Sequence, residues 1–334
     1  MKKKVALLAG GFTGEYVISI KTADTIAKHL DRNRYEAYKL IISKEGWFYE
    51  NENGHRSPVD KNDFSIQSEG ARIVFDVALI AIHGSPGEDG LLQGYLDMLS
   101  IPYTTCDAAT SAITMNKSYT KSVLAGTSGL SFAASVQLFT NDPGGAASWR
   151  RRCSELRLPL FIKPNNGGSS IGMSKVDRWD ALDAALQKAF AEDQQVLVEE
   201  FVNGKEFSIG AFRAEDRLEV LPATAIIPGK DFFDFEAKYS PGIAEEITPA
   251  PLPEEDRLQL ESLVKDIYER LNCRGAVRMD FIQEAESKDW YFIEVNTVPG
   301  QSENSILPRQ VQASGKTLAE FYSLIIEETL RPQG

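Results

Sequence analysis

Two segments near the C-terminus constrain the fold most, because both alternate residue by residue and only a short polar stretch separates them. In 276–282, Val277, Met279 and Phe281 share one face of an extended strand, and Arg278 and Asp280 share the other. In 290–296 the same alternation sets Tyr291, Ile293 and Val295 against Glu294 and Asn296. Paired through a turn at 285–289, the two strands gather Arg278, Asp280, Glu294 and Asn296 into one cleft. Two carboxylates and an amide oxygen, with no histidine or thiolate among them, suit Mg²⁺ and not Zn²⁺. Mg²⁺ held this way usually completes its shell with phosphate oxygens. An exposed hairpin with a solvated charged face has the same pattern, so the rest of the chain must decide between them.

A chain of 334 residues predicts two or three domains, and three is the expectation taken here. Residues 5–9 read as a buried strand, 10–14 as a tight turn and 18–30 as a helix. Strands at 35–42 and 73–82 and a helix at 90–99 continue an alternation that predicts a parallel sheet through residue 104. A second domain, 105–203, is expected to hold one helix at 108–125, strands at 131–138 and 158–163 around a polar stretch at 140–147, and a helix at 179–191. Strands at 195–202 and 206–213 flank Asn203-Gly204, a hairpin signal, and the third domain, 204–334, is placed from that turn. It is expected to hold helices at 254–271 and 317–330 beside the two alternating strands. The long irregular stretch 229–249 reads as a lid. The fold class is therefore α/β (α+β), with a Rossmann-like N-terminal domain.

Charge and cysteine content exclude several functions. Thirty-six basic and 48 acidic side chains leave a net charge of −12, which disfavours nucleic acid as a partner but permits a small phosphorylated ligand held by local lysines and backbone N–H groups. Cys106, Cys153 and Cys273 are odd in number and widely spaced, which indicates neither a disulfide framework nor a thiolate metal site and fits a cytoplasmic protein. The start Lys2-Lys3-Lys4 followed by five apolar residues imitates a signal peptide but stops at Gly10-Gly11. No apolar stretch approaches the roughly 20 residues of a membrane span.

Lys163-Pro164-Asn165-Asn166-Gly167-Gly168-Ser169-Ser170-Ile171-Gly172 follows an apolar strand. Glycines there let backbone N–H groups approach phosphate oxygens, the serines add hydroxyl donors and Lys163 adds charge, so the segment reads as a phosphate cover. The spacing in Gly10-Gly11-Phe12-Thr13-Gly14 departs from the dinucleotide fingerprint. Gly315-Lys316-Thr317 imitates the end of a P-loop, but Gln310 stands where its first glycine is required, so this segment reads as a helix start.

With these pieces in order, the whole chain resembles the D-alanine:D-alanine ligases of the ATP-grasp superfamily. The resemblance rests on Gly10-Gly11-Phe12-Thr13-Gly14-Glu15, His83-Gly84-Ser85-Pro86-Gly87-Glu88-Asp89-Gly90 and Glu294-Val295-Asn296-Thr297-Val298-Pro299-Gly300. It implies three α/β domains, ATP gripped between two antiparallel sheets, two Mg²⁺ ions for which Mn²⁺ can substitute, and a homodimer. Lys117, Lys163 and Ser170 would contact the phosphates, Glu199, Glu200, Phe201 and Val202 would line the adenine pocket, and Glu206 would bind the ribose. Lys238 would reach the γ-phosphate from the lid. Asp280, Glu294 and Asn296 match the family's metal ligands.

The same resemblance implies that Glu15 binds the ammonium of the first D-alanine and that Ser169 and Tyr239 link it to the lid. His83, which taken alone reads as a hydrogen-bonded histidine at a strand end, would lie near the reacting carboxylate. Arg278 and the N–H of Gly300 would form the oxyanion hole, and Ser305 and Ile306 would bind the carboxylate of the second D-alanine. The implied reaction passes through D-alanyl phosphate to D-alanyl-D-alanine, a precursor of peptidoglycan. Tyr16, where the family often has His, and the stretch Gln301-Ser302-Glu303-Asn304 depart from the common pattern. They leave D-lactate and D-serine as rival second substrates, although Lys238-Tyr239 resembles the dipeptide-forming branch. A nucleotide-binding regulator without catalysis is the rival from another class, and it would have no need of an oxyanion arginine.

Overall fold

The apolar residues after Lys4 form the strand Lys3–Gly10, fully buried from Val5 to Ala9. It pairs in parallel with Tyr35–Ile42 on one side and Val77–Ile80 on the other. The computed structural model describes residues 2–51, 53–168, 171–228 and 244–331. Ser169, Ser170, Lys238 and Tyr239, with most of the expected lid, lie outside these described residues.

The first sheet is not wholly parallel. Four short strands, Trp47–Glu50, Arg56–Asp60, Ser65–Ser68 and Ala71–Ile73, extend it as an antiparallel meander. They are three to five residues long, too short to carry a clear period. Their apolar sides fold over Phe64, Phe75 and Tyr95, whose rings meet edge to face 5.9–6.0 Å apart. At the other end of the first strand, Gly10 turns the chain with φ +103°, and a Cβ there would stand 2.5 Å from the carbonyl oxygen of Ile42. Only glycine fits this turn, which delivers Glu15 to the start of the helix Tyr16–His29.

A second sheet is wholly antiparallel, in the order Ser174–Val176, Leu160–Pro164, Gln195–Glu200, Ser135–Phe139. The third runs Ala244–Ile247, Thr224–Pro228, Gly204–Ala214, Ala276–Glu284, Trp290–Asn296, Leu130–Ser131. Asn203-Gly204 is therefore not a hairpin turn. The strands on either side of it belong to different sheets, and Gly204 sits opposite Glu284, where a Cβ would come 2.2 Å from the carbonyl oxygen of Gln283. Close backbone approach, rather than a turn, explains this glycine.

Two further elements differ from expectation. Helix 108–125 is two helices, Ala108–Met115 and Lys117–Leu124, because Asn116 leaves helical geometry and its side chain caps the N–H of Tyr119. The polar stretch at 140–147 runs into an unexpected helix, Gly145–Cys153. At the C-terminal end, Thr317 and Glu320 form a capping box for Leu318–Thr329, as the helix-start interpretation of Gly315-Lys316-Thr317 requires.

Behind the third sheet, Phe207, Phe281, Trp290 and Phe292 pack against Leu260, Val264 and Ile267 of the helix Glu254–Arg270. Each such side chain contributes about 1.5–3 kcal/mol by burial. Gly275, at φ +62°, leads into the strand that carries Arg278 and Asp280, and a Cβ there would lie 1.9 Å from the carbonyl oxygen of Thr104. Gly275→Ala is expected to lower stability by at least about 1–3 kcal/mol, seen as a lower denaturant midpoint with unchanged m-value. A midpoint equal to that of the parent would contradict the contact.

Candidate active site

The strands Ala276–Glu284 and Trp290–Asn296 pair antiparallel, with Arg278 opposite Asn296 and Asp280 opposite Glu294. The side-chain cluster read from the alternation is thus brought together. One face assignment is corrected. The register shifts between Asp280 and Phe281, which pair with Glu294 and Phe292, so Ile293 is an extra residue. Trp290, Phe292 and Val295 are buried in the core, whereas Tyr291 and Ile293 are half-buried and do not share the core side with Val295.

Arg278 forms a two-point bond with Asp280, Nε to Oδ1 at 3.0 Å and a terminal nitrogen to Oδ2 at 2.8 Å. The hydroxyl of Ser208 also donates to Asp280 Oδ1. Burial works to lower the pKa of Arg278, but Asp280, Glu294 and Glu88 overcome it and raise the pKa, so the guanidinium stays charged. Across the cleft, Lys117 Nζ lies 3.3 Å from Glu294 Oε2 and donates to the carbonyl of Gly167. The Gly/Ser segment is tied to the same helix start. Asn165, fully buried, accepts from the N–H and hydroxyl of Ser118 at 3.0 and 2.7 Å, and its carbonyl accepts from the N–H of Lys117 at 3.1 Å.

Glu15 lies where this segment meets the first sheet. Its carboxylate oxygens come within 3.2 Å of a Cβ placed on Gly84 and 3.6 Å of one placed on Gly168. His83 is buried nearby, with Nδ1 2.8 Å from the carbonyl oxygen of Val298 and Nε2 3.0 Å from the hydroxyl of Thr22. Burial lowers its pKa, against the opposing charge of Glu15. Glu88, given no role by sequence reasoning although it lies in a quoted motif, is half-buried beside them. Burial first, then Glu15, pushes its carboxyl up to about 8.

Alternation along Gln195–Glu200 sends its two acids to opposite faces. Glu199 is largely covered and lies between Lys163 and Lys121, the latter at 2.7 Å. Burial alone would raise its pKa, but Lys163 and Lys121 hold it down to about 2. Glu200 is instead committed to Arg157, with bonds of 2.8–3.1 Å. Lys121 was missed by sequence reasoning, and the available signal was its i, i+4 spacing from Lys117 on one helix face. Its ammonium also donates to the carbonyl of Ala133 and the hydroxyl of Ser135 at 2.9 and 2.7 Å. Glu206 lies in the neighbouring sheet between Ile226 and Ile282. Phe201 and Val202 follow the strand end, with Phe201 38% exposed.

At the other rim, Ser305 caps the helix Ile306–Ala313 by position but not through its side chain, which lies 2.7 Å from the hydroxyl of Ser302. A Cβ on Gly300 would stand 3.1 Å from Ser305 Oγ. Among the described residues, no three His, Cys, Asp or Glu side chains form a metal-holding group. The oxygen donors here number two carboxylates and one carboxamide, a set that fits Mg²⁺ sharing its shell with phosphate.

Residues 4–106 match the family described as D-ala D-ala ligase N-terminus, and residues 126–327 the one described as D-ala D-ala ligase C-terminus. The chain belongs to the D-alanine–D-alanine ligase family. It is 41% identical to the D-alanine–D-alanine ligase of Azobacteroides pseudotrichonymphae over 97% of this chain and 99% of that protein. The ligase of Parabacteroides distasonis is 39% identical over 99% and 98%. Among solved structures, D-alanyl-alanine synthetase A of Vibrio cholerae superposes with a TM-score of 0.88 at 28% identity, covering 98% of each chain. The VanG D-Ala:D-Ser ligase of Enterococcus faecalis gives 0.87 at 28% identity, covering 98% of this chain and 100% of that one. The arrangement of the second and third sheets is that of the family's ATP-grasp fold.

The Lys121–Glu199–Lys163 group yields a prediction. A lowered carboxylate pKa adds stability that is full above the ordinary value of 4.5 and is lost as pH falls toward about 2. Lys121→Met is therefore expected to cost about 1–3 kcal/mol at pH 7 by denaturant unfolding, with the deficit shrinking on acidification below 4.5. A deficit independent of pH would contradict the ion-pair origin.

Proposed function

We propose that the chain joins two D-alanines into D-alanyl-D-alanine at the expense of ATP, for peptidoglycan synthesis in the cytoplasm. The observation that carries this is the meeting of the Arg278–Asp280–Glu294–Asn296 face with Lys117, the glycine segment and Glu15, at the point where three sheets converge. Relatives at about 40% identity over nearly their whole length bear the name of this activity. Three buried thiols without a bridge support a reducing compartment, and no described helix is long and apolar enough to cross a membrane. A homodimer belongs to the same proposal.

Glu15 would hold the first D-alanine by its ammonium, beside Gly168. Lys117 and Lys163 would neutralise phosphate charge, each leaving a carboxylate partner, Glu294 and Glu199, to do so. Lys121 keeps Glu199 compensated when Lys163 turns away. Asp280, Glu294 and Asn296 would hold Mg²⁺, or Mn²⁺ with the same oxygen donors, and the ion would supply charge neutralisation at the transferring phosphoryl group. Glu199, Phe201 and Val202, with the backbone of Glu200, would line the adenine pocket, and Glu206 would meet the ribose. Ser170 and Lys238 would add phosphate contacts.

In the first step a carboxylate oxygen of D-alanine attacks the γ-phosphorus and ADP departs, giving D-alanyl phosphate. In the second, the free amine of the other D-alanine, held by its carboxylate at Ser305 and Ile306, adds to the carbonyl carbon and phosphate departs. Positioning and charge neutralisation do most of the work, since phosphoryl transfer needs little covalent help. Arg278 and the N–H of Gly300 would stabilise the oxyanion, while Ser169 and Tyr239 would link Glu15 to the lid and keep water from the acyl phosphate.

Phosphate release should require Mg²⁺ and D-alanine together, with D-alanyl-D-alanine identified by mass. D-serine and D-lactate are offered in the same assay, and a mixed product would assign the chain to that branch. Arg278→Ala should retain ATP binding and lose about 10²–10³-fold in turnover. Near-parental turnover would remove Arg278 from the site.

A further inference from the structure

The 83–88 loop grips a single distant residue on both of its backbone polar groups. The carbonyl of Val298 can only accept, so the ring nitrogen facing it at 2.8 Å, His83 Nδ1, carries a proton. With the ring neutral, Nε2 is an acceptor and receives the hydroxyl hydrogen of Thr22 at 3.0 Å. The oxygen of Thr22 in turn accepts the N–H of Gln301 at 3.5 Å. The N–H of Val298 donates to Glu88 Oε1 at 3.2 Å and is shared with Asn296 Oδ1 at 3.1 Å. The second oxygen of Glu88 accepts the N–H of Gly84 at 2.6 Å, closing the grip onto its own loop.

We infer that His83 and Glu88 are positioning residues, a two-point clamp on Val298 that sets the segment 297–301 and with it the backbone N–H of Gly300. The inference rests on the function proposed above and changes the part given to His83. Both ring nitrogens are engaged by protein groups, so His83 neither donates a proton to substrate nor takes one from it. Its contribution is to aim the Gly300 donor, which is effective only within a few tenths of an ångström. The clamp also joins the first sheet to the third, since His83 and Glu88 follow the strand Val77–Ile80 and Val298 follows Trp290–Asn296. Glu88 supplies the N–H of Val298 with an acceptor that is not a proposed metal ligand.

The test compares His83→Asn, His83→Ala and Glu88→Gln by steady-state kinetics and by amide hydrogen exchange at Val298 and Gln301. The amide nitrogen of Asn can take the place of Nδ1 as donor but cannot transfer protons as an imidazole does. His83→Ala is expected to lose about 100-fold in kcat with little change in the KM for ATP, as a misaimed catalytic donor should. His83→Asn should recover most of that loss and keep the parental pH profile. Exchange at Val298 should quicken in His83→Ala and Glu88→Gln but not in His83→Asn. The clamp is overturned if His83→Asn is as impaired as His83→Ala, or if exchange at Val298 stays parental in both other variants. Absence of D-alanyl-D-alanine from the parent enzyme would instead count against the proposed function, and exchange would still report on the clamp.

Discussion

The pairing of Ala276–Glu284 with Trp290–Asn296 is the constraint on which the remainder of the structure depends. One side of this ladder must bury Phe281, Trp290, Phe292 and Val295, and the other must present Arg278, Asp280, Glu294 and Asn296. A strict two-residue period from Trp290 would turn Glu294 and Asn296 into the aromatic core, where an unpaired carboxylate is very costly. The extra residue at Ile293 resolves the conflict by resetting the alternation between Phe292 and Glu294. The bulge thereby lets one short strand serve both the core and the cleft.

The charges of the cleft are arranged in compensated groups, which explains how so many can be buried. Arg278 is matched by Asp280, Lys117 by Glu294, and Lys163 and Lys121 by Glu199. A buried ion pair is weak support for stability, but breaking one leaves a charge uncompensated. Lys117 and Lys163, both proposed to meet phosphate, are thus each paired with a carboxylate. In the proposed reading, phosphate binding at these two lysines would be an exchange of partners rather than the entry of a bare anion. Lys121, bonded to Ser135 and the Ala133 carbonyl as well as to Glu199, is held in place by three partners.

What could be read in the sequence was local. The alternation of 276–282 placed Arg278 and Asp280 on one face without knowledge of any partner, and the glycines after residue 9 marked a turn that the positive φ of Gly10 requires. Features set by distant neighbours were not legible. Ile293 is apolar and continues the pattern of a regular strand, so only the register reveals the bulge. Asn116 breaks a helix because its side chain caps the next one and its neighbours are tied to Asn165. Asn203-Gly204 has the composition of a hairpin turn, but strand Gly204–Ala214 pairs only with strands that follow it, among them Ala276–Glu284 with Ser208 opposite Asp280, and not with the strand before the turn. Glu88 became visible as a functional candidate only once its bonding partners were known, whereas Lys121 had a local signal in its i, i+4 spacing from Lys117.

The central claim is that this cleft activates a carboxylate by giving it a phosphoryl group before an amine attacks. Turnover of D-alanine labelled with ¹⁸O on both carboxylate oxygens, in the presence of ATP and Mg²⁺, tests this most directly. Passage through D-alanyl phosphate transfers one labelled oxygen to each phosphate released and leaves the other in the new peptide carbonyl. Phosphate released without label, alongside formation of the dipeptide, would contradict an acyl phosphate and with it the role assigned to the Arg278–Asp280–Glu294–Asn296 face.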